Sequence, residues 1–194
     1  MLYRPVRERS VDKLVELAKE SVKNTGYEEI SLSSLSSSDY SCISELAGRL
    51  TDELRDQRVS LSLPSLRVDK FVQDTLTHTQ KVKKSSLTFA PEAGTQRLRD
   101  VINKNVTEAD LVNTLTNAFS NGWNAVKLYF MTGLPTETDE DLIGIAELAK
   151  TAAGAYYSVP KEKRVKGLRI TCSAAVFVPK PFTPFQWCRQ DDPE

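Results

Sequence analysis

Five loops in this chain of 194 residues gather side chains that can grip a small polar ligand. They read Ser33-Ser34-Leu35-Ser36-Ser37-Ser38-Asp39, Pro64-Ser65-Leu66-Arg67, Pro91-Glu92-Ala93-Gly94-Thr95, Gly133-Leu134-Pro135-Thr136-Glu137-Thr138 and Pro179-Lys180-Pro181-Phe182-Thr183-Pro184. Each joins small residues, which let backbone approach a ligand closely, to hydroxyl, carboxylate, ammonium or guanidinium groups. That mixture suits a zwitterionic ligand with a ribose. Gly, Pro, Ser and Thr are also what any turn or helix N-cap uses, and for a single loop this plainer reading suffices. Five such loops on one rim are harder to explain so. Lys127 stands apart, because it alternates in register with Tyr129 and Met131 on one strand face, where an unpaired ammonium is costly. It requires a partner: a buried carboxylate, a cofactor or an anionic substrate, with an ordinary structural ion pair as the plainer account. Cys42, Cys172 and Cys188 are odd in number and far apart, which fits neither a disulfide framework nor a closely spaced ligand set.

The elements that would carry these loops alternate along the chain. Ser10 is a candidate N-cap for a helix through Val11, Leu14, Val15, Ala18 and Val22, stopping at Asn24-Thr25-Gly26. A strand is predicted over Glu28 to Ser33, followed by a helix with Ile43, Leu46, Leu50 and Leu54. Val59 to Leu63 alternates again, Asp69 caps a short helix, and Leu87 to Ala90 forms a third strand ending at Pro91. Capping boxes open two more helices, at Thr107 to Asp110 and at Thr138 to Asp141, on either side of a strand from Ala125 to Met131. Leu168 to Val178 is the last strand.

Strands alternating with helices predict parallel pairing through right-handed crossovers, hence an α/β fold. One face of each strand is polar or small: Ser31 and Ser33, Ser60 and Ser62, Thr88 and Ala90, Lys127 and Tyr129, Thr171 and Ser173. Parallel sheets normally bury both faces in apolar packing, so this face should line a wet or ligand-filled interior, as in a partly open barrel. In parallel α/β folds the working groups sit at the C-terminal strand ends, where the five loops fall.

Lys plus Arg and Asp plus Glu balance at 26 each, so no global field argues for nucleic acid or an anionic membrane. The basic stretch Lys161 to Lys166 reads as solvated surface, with nucleic acid the unsupported alternative. His78, at the end of a short helix, reads as a solvated cation. No apolar run is long enough to span a bilayer and no signal-peptide pattern opens the chain, so the expectation is a cytoplasmic protein without membrane partners.

The segments Tyr3 to Ser10, Glu29 to Tyr40, Thr88 to Arg99, Lys127 to Thr138 and Phe177 to Trp187 together resemble radical SAM proteins of the Fe-S oxidoreductase type that often carry a cobalamin-binding domain. More distantly they are similar to methylthiotransferases. The resemblance covers residues 1–194 as one radical SAM core domain. It implies a partial (β/α) TIM-like barrel lacking its first strand. It also implies S-adenosyl-L-methionine as cofactor and, in the parent protein, a [4Fe–4S] cluster that reduces it to a 5′-deoxyadenosyl radical, for methyl or methylthio transfer. The family's Cys-x₃-Cys-x₂-Cys motif follows that first strand, upstream of Met1, and none of the three cysteines present replaces it. The fragment alone is therefore expected to hold no cluster and to be inactive. A degenerate nucleoside-binding module without redox chemistry is the alternative.

By the resemblance, Ser33 and Ser34 lie near the amino and carboxylate ends of the cofactor, and Glu92, Gly94 and Thr95 form the loop that approaches its ribose. Gly133 and Glu137 shape the loop beside the adenine. Arg67 is a candidate bidentate partner for the cofactor carboxylate, an exposed Arg beside Asp69 being the plainer account. The substrate and any use of cobalamin stay open, and Lys127 is the one candidate for a catalytic role. If the first strand is absent, Glu28 to Ser33 becomes an unprotected edge, and the fragment is expected to self-associate through it.

Overall fold

A computed structural model describes residues 7–32, 39–62 and 87–191, which fall into two compact units, residues 1–85 and 86–194. The first unit is built on two amphipathic helices. In α1 (Val11–Thr25) the Ser10 hydroxyl accepts from the Lys13 N–H, and Gly26 closes the helix at φ 69°. Its apolar residues recur at helical spacing, so Val11, Val15, Ala18 and Val22 share one face. That face packs with Leu46, Leu50 and Leu54 of α2 (Ile43–Glu53) and its C-terminal end, and with Val59. A short 3₁₀ turn, Arg55–Gln57, leads to β2 (Ser60–Ser62), which pairs in parallel with β1 (Glu29–Ser31). The other edge of β1 has no partner strand among the described residues.

The second unit is a parallel three-stranded sheet in the order β3 (Leu87–Glu92), β4 (Ala125–Thr132), β5 (Arg169–Val176). Between β3 and β4 lie α3 (Gln96–Val101) and α4 (Glu108–Ser120), and α5 (Asp139–Ser158) leads from β4 toward β5. Leu87 and Phe89, with Val126, Leu128 and Phe130, are buried at alternate positions and form one sheet face. On α4, Leu111, Leu115, Ala118 and Phe119 are buried, as are Leu148, Ala152, Ala155 and Tyr156 on α5. The opposite face carries the expected polar and small side chains in register: Thr88 against Lys127, Lys127 against Thr171, Tyr129 against Ser173.

The structure departs from these expectations in places, and some of them fall outside the described residues. β3 runs through Pro91 to Glu92 rather than stopping at Ala90, because the ladder to β4 is irregular between Phe89 and Glu92 and a proline is tolerated at a bulge. The six-residue α3 was not foreseen. The helix expected after Asp69 and the residue His78 lie outside the described residues. Beyond β5 the chain turns back, and the Phe177 N–H donates to the Thr132 carbonyl at 2.8 Å. Phe177 stacks edge-on with Phe185, their centroids 6.2 Å apart. Of the two tryptophans, Trp123 is 4% exposed and Trp187 is 90% exposed. No described helix is long and apolar enough to cross a membrane.

Candidate functional site

Where β3 ends, the irregular register delivers Glu92 in the left-handed region, at φ 70°. A non-glycine residue there costs on the order of 1–3 kcal/mol, and such strain persists only where surrounding structure enforces it. The Glu92 carboxylate lies 3.3 Å from Lys104 Nζ and keeps partial access to solvent. At the neighbouring end of β4, Gly133 takes φ 75°, and its N–H donates to Glu137 Oε1 at 2.7 Å. Glu137 thus closes its own loop, with its N–H bonded to the Leu134 carbonyl. Thr136, inside that loop, is also left-handed, at φ 68°.

Asp191 returns from the C-terminal segment so closely that a Cβ placed on Gly133 would come within 2.8 Å of its Oδ2. Beneath both loops sits an apolar cluster of Ala93, Leu98, Leu134 and Phe177, joined by Met131, Phe185 and Cys188. The segment after β5 therefore packs beside the two rim loops as part of the same wall.

Gly94 and Thr95 face the helices instead. A Cβ on Gly94 would strike the α5 backbone at Asp141 and Ile145, so only glycine lets this loop lie on that helix. Gly144 supplies the matching gap, since a Cβ there would meet Thr95 Cγ2 at 2.8 Å. Thr95 caps α3, its hydroxyl accepting from the Leu98 N–H at 3.3 Å and donating to Asp141. Behind them a groove of about 420 Å³ lies between α3, α4 and α5, lined by Gln96, Glu108, Glu140, Ile143 and Glu147 among others.

Two buried charges tie this wall together, and sequence reasoning missed the role of each. Arg99, 1% exposed, donates through Nη1 to the carbonyls of Ala93 at 3.0 Å and Gly94 at 3.2 Å, and through Nη2 to Gln96 Oε1 at 3.2 Å. Burial pulls its pKa down, opposed by the nearby carboxylates of Glu108 and Asp100. Asp141, 2% exposed, accepts from Thr95, from Arg97, and from the N–H and hydroxyl of Thr138. Burial alone would raise its pKa, but the hydrogen bonds from Thr95, Arg97 and Thr138 outweigh that and hold the carboxyl well below the usual range. The signal was present only in part: Thr138 and Asp141 read as a capping box, while Arg97 and Arg99 lie in one of the segments that carried the resemblance.

Lys127 is half-buried on the polar face, with Nζ 4.5 Å from the centroid of the Tyr129 ring. This cation–π contact within its own strand is the partner seen among the described residues. Ser33, Ser34 and Arg67 lie outside the described residues. Glu92, Gly133 and Glu137 are thus placed at adjacent C-terminal strand ends of one sheet, whereas Gly94 and Thr95 build the support behind them.

A face of Thr, Lys, Tyr and Ser leading to a rim with accessible carboxylates and a glycine turn has the donors and acceptors a nucleoside needs. The thiolates for a cluster are another matter. Cys42, Cys172 and Cys188 are free, and among the described residues no group of three His, Cys, Asp or Glu side chains is arranged to hold a metal ion. No step through a cluster is derived from this chain.

Comparison with known proteins places the chain by family and by fold. An uncharacterized protein of Methanocaldococcus jannaschii is 38% identical over 185 residues, covering 95% of this chain. The chain spans 38% of the length of that relative. Among solved structures, coproporphyrinogen III oxidase from Escherichia coli, described as a radical SAM enzyme, aligns with a TM-score of 0.53 at 12% identity, over 80% of this chain and 42% of that one. This likeness is one of fold. The model of the radical SAM superfamily matches residues 1–149, more than half of the chain, and the chain accordingly belongs to the radical SAM superfamily.

Proposed function

We propose that the ends of β3 and β4 hold the nucleoside half of S-adenosyl-L-methionine, and that this chain is the cofactor-binding part of a radical SAM enzyme catalysing methyl or methylthio transfer. The observation that carries the reading is the pairing of a strained Glu92 at φ 70° with the Gly133–Glu137 loop on the neighbouring strand end. Both lie beside a polar sheet face. In this reading the Glu92 carboxylate accepts from the vicinal ribose hydroxyls, and Lys104 orients it. The Gly133 turn, kept in shape by the Glu137 carboxylate, lets backbone lie against the adenine. A [4Fe–4S] cluster held elsewhere in the parent protein would supply the reducing electron, and this chain would bind and orient the cofactor. Cobalamin is not needed for this assignment.

The three scattered free thiols also favour a second reading, a nucleoside-binding module without redox chemistry. Both readings share the rim. The experiment is titration of the isotope-labelled chain with S-adenosylhomocysteine, followed by amide chemical shifts. Weak binding is expected, with shifts centred on residues 92–95 and 133–137 and abolished by Glu92→Ala. Shifts confined to other regions, or unchanged binding by Glu92→Ala, would overturn the assignment. Anaerobic reconstitution of the chain then separates the two readings from any cluster of its own: no stoichiometric [4Fe–4S] absorbance is expected.

A further inference from the structure

Among the described residues Asp141 is the one buried carboxylate, and it serves two helix N-termini at once. At the start of its own helix, α5, it accepts from the Thr138 N–H at 2.9 Å and the Thr138 hydroxyl at 3.0 Å. A capping box asks no more than this. Its remaining capacity reaches across 44 and 46 residues of sequence, to the Arg97 guanidinium and the Thr95 hydroxyl. Thr95 caps α3, and Arg97 lies in its first turn.

Arg97 then forks back, donating through Nη2 to the Thr136 carbonyl at 2.8 Å and through Nη1 to Thr136 Oγ1 at 3.3 Å. Thr136 is the left-handed non-glycine residue of the β4 loop, so the fork holds the strained point of that loop from the opposite side. Gly94 and Gly144 remove the side chains that would otherwise keep the two segments apart. One loop thus carries Glu92 and the other carries Gly133 and Glu137, and a single carboxylate spans them.

We infer that Asp141 is a positioning residue for the nucleoside site, fixing the separation of the β3 and β4 loops through Thr95, Arg97 and Thr138 without touching the ligand. This rests on the reading of the rim as a nucleoside site. Preorganised groups held by a second layer of hydrogen bonds bind tightly because little ordering remains to be done on association. Release of the clamp therefore weakens binding through geometry, although no residue that meets the ligand is itself altered.

The test uses Asp141→Asn, Arg97→Lys and a control, Tyr156→Phe, which removes a 2.7 Å hydrogen bond to the Val165 carbonyl in the same unit. Amide exchange is read in both loops, and S-adenosylhomocysteine affinity is measured at temperatures where all variants are equally folded. Asp141→Asn is expected to speed exchange in residues 92–95 and 133–138 together and to lower affinity by about tenfold, equivalent to about 1.4 kcal/mol. Arg97→Lys is expected to do both to a smaller extent and keeps the test alive if Asp141→Asn does not fold. The control moves neither. If the unaltered chain binds and both clamp variants bind within about twofold of it, the positioning role is wrong and the nucleoside reading stands. If the unaltered chain gives no shifts at the rim, the nucleoside reading fails and takes the positioning role with it.

Discussion

The two units place their charges in opposite ways. In the first, ion pairs join α1 to α2 from outside: Lys19 to Glu53 at 2.7 Å and Arg49 to Asp12 at 2.6 Å, all four side chains at least two-fifths exposed. Between those helices the contact is apolar. In the second, Asp141 and Arg99 lie inside, Asp141 bonded to residues of both rim loops and Arg99 to two successive carbonyls of one. Exposed pairs contribute little and tolerate many geometries, whereas a buried charge must be met by particular partners at particular places. The first unit is fastened by burial of area; the second uses burial of charge to set distances. A binding rim needs the latter.

The sharpest way to break this contrast is to force the rim off its helix. Gly94→Ala puts a methyl group into the backbone of α5, and the second unit is expected to lose about 4 kcal/mol or more, read by denaturant unfolding followed at Trp123. Next in size, Leu50→Ala removes a fully buried side chain between α1 and α2 and is expected to cost about 3 kcal/mol in the first unit, with the chemical shifts of residues 92–95 unchanged.

Asp141→Asn comes third, at about 2 kcal/mol, because Thr95 and Thr138 lose a charged acceptor while Arg97, 49% exposed, regains water. It should also change the response to acid. The folded-state pKa of Asp141 lies below its usual value of 3.8, so its contribution is complete above that pH and is lost as pH falls through the lower, folded-state value. The unaltered second unit should weaken on acidification below about pH 4, and the Asn variant should weaken less steeply over the same window. Smallest of all, Lys19→Ala should leave the unfolding midpoint of the first unit where it was, at low and at high salt alike. A salt-dependent loss there would mean that surface charge does in the first unit what buried charge does in the second.

Local signals were legible and distant ones were not. Both ends of α1 follow from Ser10 and Gly26, and the starts of α4 and α5 from capping boxes at Thr107 and Thr138, because these bonds span three or four residues. The polar sheet face also followed from alternation alone. The end of β3 was placed two residues early, since proline usually closes a strand and only the pairing with β4 reveals the bulge. α3 has six residues, too few for its periodicity to stand out.

At the site, Glu92, Gly133 and Glu137 could be picked out as loop residues at strand ends. The reach of Asp141 to Thr95 and Arg97 could not, for it depends on two glycines bringing a loop onto a helix nearly fifty positions away. For Lys127 the sequence asks for a carboxylate, a cofactor, an anionic substrate or an ion pair; among the described residues its ammonium lies over the Tyr129 ring, two positions along the same strand.

The contrast between the two tryptophans gives the chain an optical readout of its own. Trp123 follows α4 in the interior of the second unit, and Trp187 stands almost wholly in solvent on the segment that returns past the rim. A soluble quencher such as iodide reaches the second indole and not the first. Emission that survives quenching reports whether the sheet is intact, and the quenched fraction reports what happens along the returning segment. Ligand, partner or neighbouring polypeptide settling there would darken or shield one colour component while the other stayed constant, with no label attached.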